Sequence, residues 1–200
     1  AQQHYEEVLE LQKLLGDERG IGTTLANLGN LRADGAHYER ARAYYLEALD
    51  LLKRTHDEAA MAVLFSDLGF VARETGQYDE AMRYYEQSLA LMKRLGNEGG
   101  MADAWRMMAR THLMQQRYED AVACCRTSQA IAERMRDELR TGGARYVMAG
   151  CCEQLGRLQE AADLLELVVE MDRKYHLPKL QENIGRLEAL RARLAAGARA

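Results

Sequence analysis

The chain has 200 residues, 48% of them hydrophobic, which suffices to bury a continuous core and excludes a disordered polymer. Its net charge of −4 at pH 7 is spread without a run of either sign, so the basic stripe needed for non-specific nucleic-acid binding is missing. No apolar stretch approaches the roughly 20 residues that span a bilayer, and the start lacks a signal-peptide pattern, so the expected compartment is the cytoplasm.

Residues 1–16 open inside a pattern already under way. His4, Tyr5 and Leu9 fall in the columns that Tyr44, Tyr45 and Leu49 occupy 40 residues later. This segment is expected to be the second helix of a truncated unit, and the chain a piece of a longer protein. From Asp17 one unit is written four times, over 17–56, 57–96, 97–136 and 137–176. A fixed period of that size marks a stack of like units.

Within each unit the columns predict two helices. Asp17, Asp57, Asn97 and Asp137 suit the N-cap of the first helix, and Gly16 and Gly96 suit the preceding C-terminus. The first helix carries Leu25, Leu28 and Gly29, then Phe65, Leu68 and Gly69, then Trp105, Met108 and Ala109, then Arg145, Met148 and Ala149. Large residues three apart make a core stripe, and the small one lets a neighbouring helix come close. A break follows at Gly35-Ala36, Gly76, Gln116 and Gly156. The second helix opens with Tyr38, Tyr78, Tyr118 or Leu158 and continues through Ala41, Ala81, Ala121 and Ala161. Tyr45, Tyr85, Cys125 and Leu165 then face the core, followed by Leu49, Leu89, Gln129 and Val169.

Two departures fall in the fourth unit. Arg145 takes a core column, which implies a weaker core or an Arg that snorkels outward. Gly142-Gly143 is expected to loosen the same helix by roughly 1 kcal/mol per Gly relative to Ala. Residues 177–200 read as a closing helix, with Pro178, the only proline, in its first turn.

The recurring G-x-Y-x-x-A, as in Gly76-Gln77-Tyr78-Asp79-Glu80-Ala81, resembles the tetratricopeptide-repeat family over nearly the whole chain. The family's usual period is about 34 residues. The longer period resembles the long-helix variant of kinesin light chains, spindle-orientation adaptors and the sensor halves of bacterial signalling proteins. The resemblance implies an all-α, right-handed α-solenoid of antiparallel helix pairs, about ten helices forming a single domain over 1–200. It also implies that the first helices line a concave face.

On the stripe of the first helices opposite the core columns, the four copies look unrelated, which points to a task other than folding. The candidate groove residues are Asn27, Asn30, Phe70, Arg73, Arg106, Met107, Arg110, Met114, Tyr146 and Arg186. The arginines suit carboxylates, Phe70 and the methionines suit adaptable apolar contact, and the asparagines suit a bound backbone. Five stripe positions correspond to the clamp with which some relatives hold the acidic tails of chaperones: Ala26, Asn30, Asp67, Asp103 and Met107. Only Asn30 matches, so that ligand is not expected.

The expected activity is therefore binding of a protein or peptide segment, acidic or mixed acidic–apolar, without nucleic acid or membrane. Two alternatives stand beside it. One is a sensor domain of a bacterial signalling or transcription protein. The other is homodimerisation through bare residues Val8, Leu9 and Leu15 of the opening helix.

No phosphate loop, nucleophile elbow or H-E-x-x-H occurs, so no catalytic residue is named. Cys124-Cys125 and Cys151-Cys152 lack chelating spacing and read as small buried hydrophobes. His112 is placed where it could approach Cys152 across neighbouring units. No metal or cofactor is expected.

Overall fold

The computed structural model describes residues 2–197. Among them are ten α-helices and no strand: α1 (Gln2–Leu15), α2 (Glu18–Asp34), α3 (Tyr38–Arg54), α4 (Glu58–Glu74), α5 (Tyr78–Arg94), α6 (Glu98–Met114), α7 (Tyr118–Arg134), α8 (Glu138–Gln154), α9 (Leu158–Tyr175) and α10 (Leu180–Gly197). The fold is all-α and solenoid-like, built from repeated helix pairs. No described helix is long and apolar enough to cross a membrane.

The helix boundaries follow from the repeated columns. Asp17, Asp57 and Asp137 accept the backbone N–H groups of Gly20, Ala60 and Arg140 at 2.9, 3.1 and 2.9 Å. Each satisfies one of the four N–H groups that a helix start leaves open. The second helices start without this device, since His37, Gln77, Arg117 and Arg157 make no side-chain cap bond. The fully buried Ala41, Ala81, Ala121 and Ala161 seat their first turns instead.

The turns are less regular than the sequence predicts. Gly76 and Gly156 take the left-handed conformation, but at the first break Ala36 takes it (φ 57°) while Gly35 does not (φ −84°). Gln116, His56, Arg136 and His176 adopt it too. A backbone N–H bond holds each of these corners: Ala36 N–H donates to the Ala33 carbonyl at 2.9 Å, and Gln116 N–H to that of Leu113 at 3.0 Å. Pro178 stands two residues before α10 rather than inside its first turn.

Two compact units make up the chain, residues 1–97 and 98–200. In the first, α1 packs on α2, α2 on α3, α3 on α4 and α4 on α5, while α2 also touches α4. Its core holds Leu25, Leu28, Tyr45, Leu64, Leu68 and Tyr85, all within 1% of full burial. The glycine column lets the tyrosines in. A Cβ on Gly29 would lie 2.3 Å from Tyr45 Cε1, and one on Gly69 would lie 2.6 Å from Tyr85 Cε1.

In the second unit α6 packs on α7, α7 on α8, α8 on α9 and α9 on α10, and α6 touches α8. Here the same pair of columns carries Ala109 with Cys125 and Ala149 with Leu165, all fully buried. The small residue gains a methyl where the large one loses its ring, so the volume of the pair is roughly conserved. Trp105, the only tryptophan, is half-buried on α6.

Gly142 corrects an expectation. A Cβ there would meet Met171 Sδ at 2.0 Å, so the glycine admits a close approach of α9 rather than loosening α8. Arg145 does reach outward: its Nη2 donates to Glu133 Oε1 at 3.0 Å.

A further periodic feature escapes the column reading. Glu18 pairs with Arg54, Glu58 with Arg94, Glu98 with Arg134 and Glu138 with Lys174, joining the start of each first helix to the end of the following second helix. These pairs are half exposed and add little stability one by one.

Candidate functional site

A cavity of about 510 Å3 opens on the first-helix layer of the second unit. Arg106 and Arg110 of α6, Tyr146 and Val147 of α8, and Lys179 and Asn183 at the entry to α10 line it. Its apolar floor comes from packing, since Val147 and Val168 are core residues left partly facing the opening. The Tyr146 ring is flanked by two cations, with Lys179 Nζ 5.4 Å and Arg186 Cζ 5.2 Å from its centroid. Each contact is worth about 0.5–1 kcal/mol when solvent reaches it.

The charges around this cavity are mostly positive. Arg106 Nη2 lies 3.2 Å from Asp103, and Arg186 Nε donates to Glu153 at 2.6 Å. The carboxylate inside the lining, Asp172, is 3% exposed and accepts from Asn183 Nδ2 at 2.7 Å. A buried carboxylate held by an amide braces the α9–α10 corner and offers little to a ligand. What faces the opening is therefore a cationic rim over an apolar floor, which suits an anion carried on an apolar body.

The predicted groove residues divide between the two units. In the second, the cavity brings Arg106, Arg110 and Tyr146 together, Arg186 stacks on Tyr146, Met107 is half-buried, and Met114 is exposed at the end of α6. In the first, Asn30 accepts the Tyr45 hydroxyl proton at 2.6 Å, and Asn27 is half-buried. Phe70 meets the Tyr38 ring edge-on at 6.3 Å.

Arg73 is a correction to its expected exposure. It is 2% exposed, its Nη2 lies 2.8 Å from Glu74, and its guanidinium sits 5.1 Å from the Phe70 centroid. The Glu74 carboxylate and the Phe70 ring hold it inside, so it is not an open carboxylate anchor. Val147 of α8 and Asn183 and Leu190 of α10 are buried as well.

The columns do not reach Lys179, which lies at the α9–α10 corner that no repeat copies. A basic residue directly after the only proline was the available signal.

Other candidates resolve simply. All four cysteines are free thiols and buried. Burial pushes Cys124, Cys151 and Cys152 up to about 11 and Cys125 higher still. Burial likewise lowers the His112 imidazole, favouring its neutral form. No group of three or more metal-binding side chains occurs among the described residues. On α1, Val8 and Leu9 are half-buried, whereas Leu11, Leu14 and Leu15 are 60%, 84% and 81% exposed.

Helix pairs of one register, with tyrosine-or-leucine openings and small-residue contacts, define a helical-repeat protein that presents a surface. The chain belongs to the tetratricopeptide-repeat family, whose model matches residues 37–94, 57–134 and 100–174. No curated protein matches it significantly.

Solved structures share the fold at low identity. The apo form of RapI superposes with a TM-score of 0.80 at 18% identity, over 96% of this chain and 54% of RapI. A signal-transduction ATPase with a tetratricopeptide-repeat sensor, from Pyrococcus horikoshii, gives 0.79 at 14%, over 94% of this chain and 30% of that one. A putative kinesin light chain from Podosopora anserina gives 0.64 at 16%, over 86% of this chain and 95% of its own. The chain thus spans about half the length of RapI and a third of the ATPase.

Proposed function

We propose that this chain is a protein-interaction module that binds a peptide or protein segment on the exposed face of its first helices. In the second unit the preferred segment is acidic with an apolar flank. The observation that supports this best is the cavity in which Arg106, Arg110 and Lys179 stand over Val147 and Val168. Helices already packed lose little entropy on binding, so the cost falls mainly on the ligand. Arg106, Arg110, Tyr146 and Arg186 are the proposed anchors, with Met107 and Met114 as adaptable contacts. Asn27, Asn30 and Phe70 serve the first unit, where Arg73 acts as a buried support.

A peptide-array screen tests this. Arg106→Glu combined with Lys179→Glu is expected to weaken acidic binders by about a hundredfold, as two lost charge-assisted bonds would. An unchanged set of binders would remove the reading.

A second reading is a sensor domain, as in the P. horikoshii ATPase, taking a small anion or short peptide. The volume of the cavity, about 510 Å3, falls within the range of small-ligand sites. Thermal-shift screening with small carboxylates tests it: a sensor is stabilised by a small ligand alone, and no stabilisation removes this reading. Self-association through Leu11, Leu14 and Leu15 of α1 is a third reading, and light scattering at high concentration decides it.

A further inference from the structure

One face of α1 departs from the other second helices. The column that carries Arg54, Arg94, Arg134 and Lys174, each paired with a glutamate at the start of a first helix, carries Leu14 in α1. Leu14 is 84% exposed, and Leu11 and Leu15 beside it are exposed as well. Glu7, Leu11 and Leu14 follow one another at helical spacing, so a single face offers a carboxylate and then leucines. Glu7 is exposed, and among the described residues no cation pairs with it.

The same unit holds a groove of matching chemistry. It measures about 510 Å3 and runs between α4 and α5, where Met61, Phe65, Ala90 and Leu91 line it. Its floor is firm, since Phe65 is buried and stacks on Tyr84 at 6.2 Å between centroids. Lys93 and Arg94, in the last turn of α5, supply its charge. Arg94 is held by Glu58, while no carboxylate pairs with Lys93 among the described residues. None of these residues belongs to the proposed peptide-binding face.

The fold builds this groove from the same columns in the second unit, but Thr141, Arg145 and Glu170 stand there in place of Met61, Phe65 and Ala90. Of the two, the first-unit groove is the apolar one. Within its own chain α1 packs on α2 and reaches neither α4 nor α5, so its leucines do not fill the groove from inside.

We propose that α1 of a second copy of this chain docks in the α4–α5 groove, its leucines on Phe65 and Leu91 and its Glu7 toward Lys93. An apolar helix face laid into an apolar groove is a recurrent mode of recognition, and the opposite charges set its direction. Two different surfaces meet, so each copy keeps a free helix and a free groove, and association continues into open chains or rings. The proposal rests on the self-association reading and adds the surface that receives α1. A few leucine side chains make a small interface, so the contact is weak.

Sedimentation of the whole chain from about 1 μM to about 1 mM tests this, a range that captures weak contacts. The mass is expected to pass beyond that of a dimer as concentration rises. Leu14→Arg copies the cation of the other units, and Ala90→Glu puts a charge on the groove at an exposed position, so both variants keep the fold. Each is expected to weaken association by about tenfold or more, as the loss of one buried leucine would. Mixed in equal amounts, the two variants should form dimers and nothing larger, because one intact helix meets one intact groove. A monomer at every concentration removes the self-association reading together with this proposal. Oligomers that survive Ala90→Glu, or a mixture that associates no better than the single variants, overturn the groove alone.

Discussion

Gly29 and Tyr45 touch in a way that tolerates no side chain: a Cβ on the glycine would stand 2.3 Å from the ring. Gly69 and Tyr85 repeat the arrangement at 2.6 Å. Gly69→Ala is therefore expected to destabilise the first unit by about 1–3 kcal/mol, the usual cost of overpacking. Adding Tyr85→Leu, which copies the Ala149–Leu165 pair, should recover part of the loss. Urea denaturation of the single and double variants measures the coupling, and simple additivity would contradict the account.

The left-handed corners offer stabilisation in the other direction. Ala36 and Gln116 hold φ of 57° and 60°, a region where a Cβ costs about 1 kcal/mol. Ala36→Gly and Gln116→Gly are expected to raise stability by a few tenths to about 1 kcal/mol each, after the extra freedom glycine gains when unfolded. A lower thermal midpoint in both variants would show that other contacts dominate these corners.

Asp67 gives stability a pH dependence whose sign is fixed. Its carboxyl rises to about 7 in the folded chain, against about 3.9 in an unfolded one. The folded state therefore binds the proton more tightly. The resulting stabilisation is complete below pH 4 and is lost as pH rises through 7. Between pH 8 and pH 5 the chain should gain roughly 1–2 kcal/mol from this group, allowing for solvent screening. Asp67→Asn should lose that increment in urea midpoints, and an identical pH profile would refute the assignment.

The thiols should be chemically quiet. With Cys124, Cys151 and Cys152 near 11, their thiolate fraction at neutral pH is about a hundredfold below that of a free cysteine. Iodoacetamide labelling followed by mass spectrometry is expected to be slow for all four in the native state and fast in denaturant. One cysteine labelling at the rate of a free thiol would reopen a reactive role for it.

The columns that pack were readable from the sequence and the exposed face only partly. Leu28, Ala41 and Asp17 recur every 40 residues because each unit meets the same neighbours, and repetition exposes that constraint. Tyr38, Tyr78, Tyr118 and Leu158 likewise mark helix starts at the expected residues. The stripe puts Arg73 outside because nothing in a single helical stripe shows that Glu74 and Phe70 draw a guanidinium inside. Gly142 reads as a loosening residue for a related reason: the atom that needs its missing side chain, Met171 Sδ, belongs to the next helix. Lys179 lay outside the register altogether.

The lone indole of this chain sits at Trp105, and both buried Tyr–Gly contacts belong to the other unit. Nature has thus placed a separate optical probe in each half. Tryptophan emission follows residues 98–200 alone, while near-ultraviolet dichroism also carries Tyr45 and Tyr85 of residues 1–97. Recording both through one melt reveals, without any label, whether the halves come apart together or in turn.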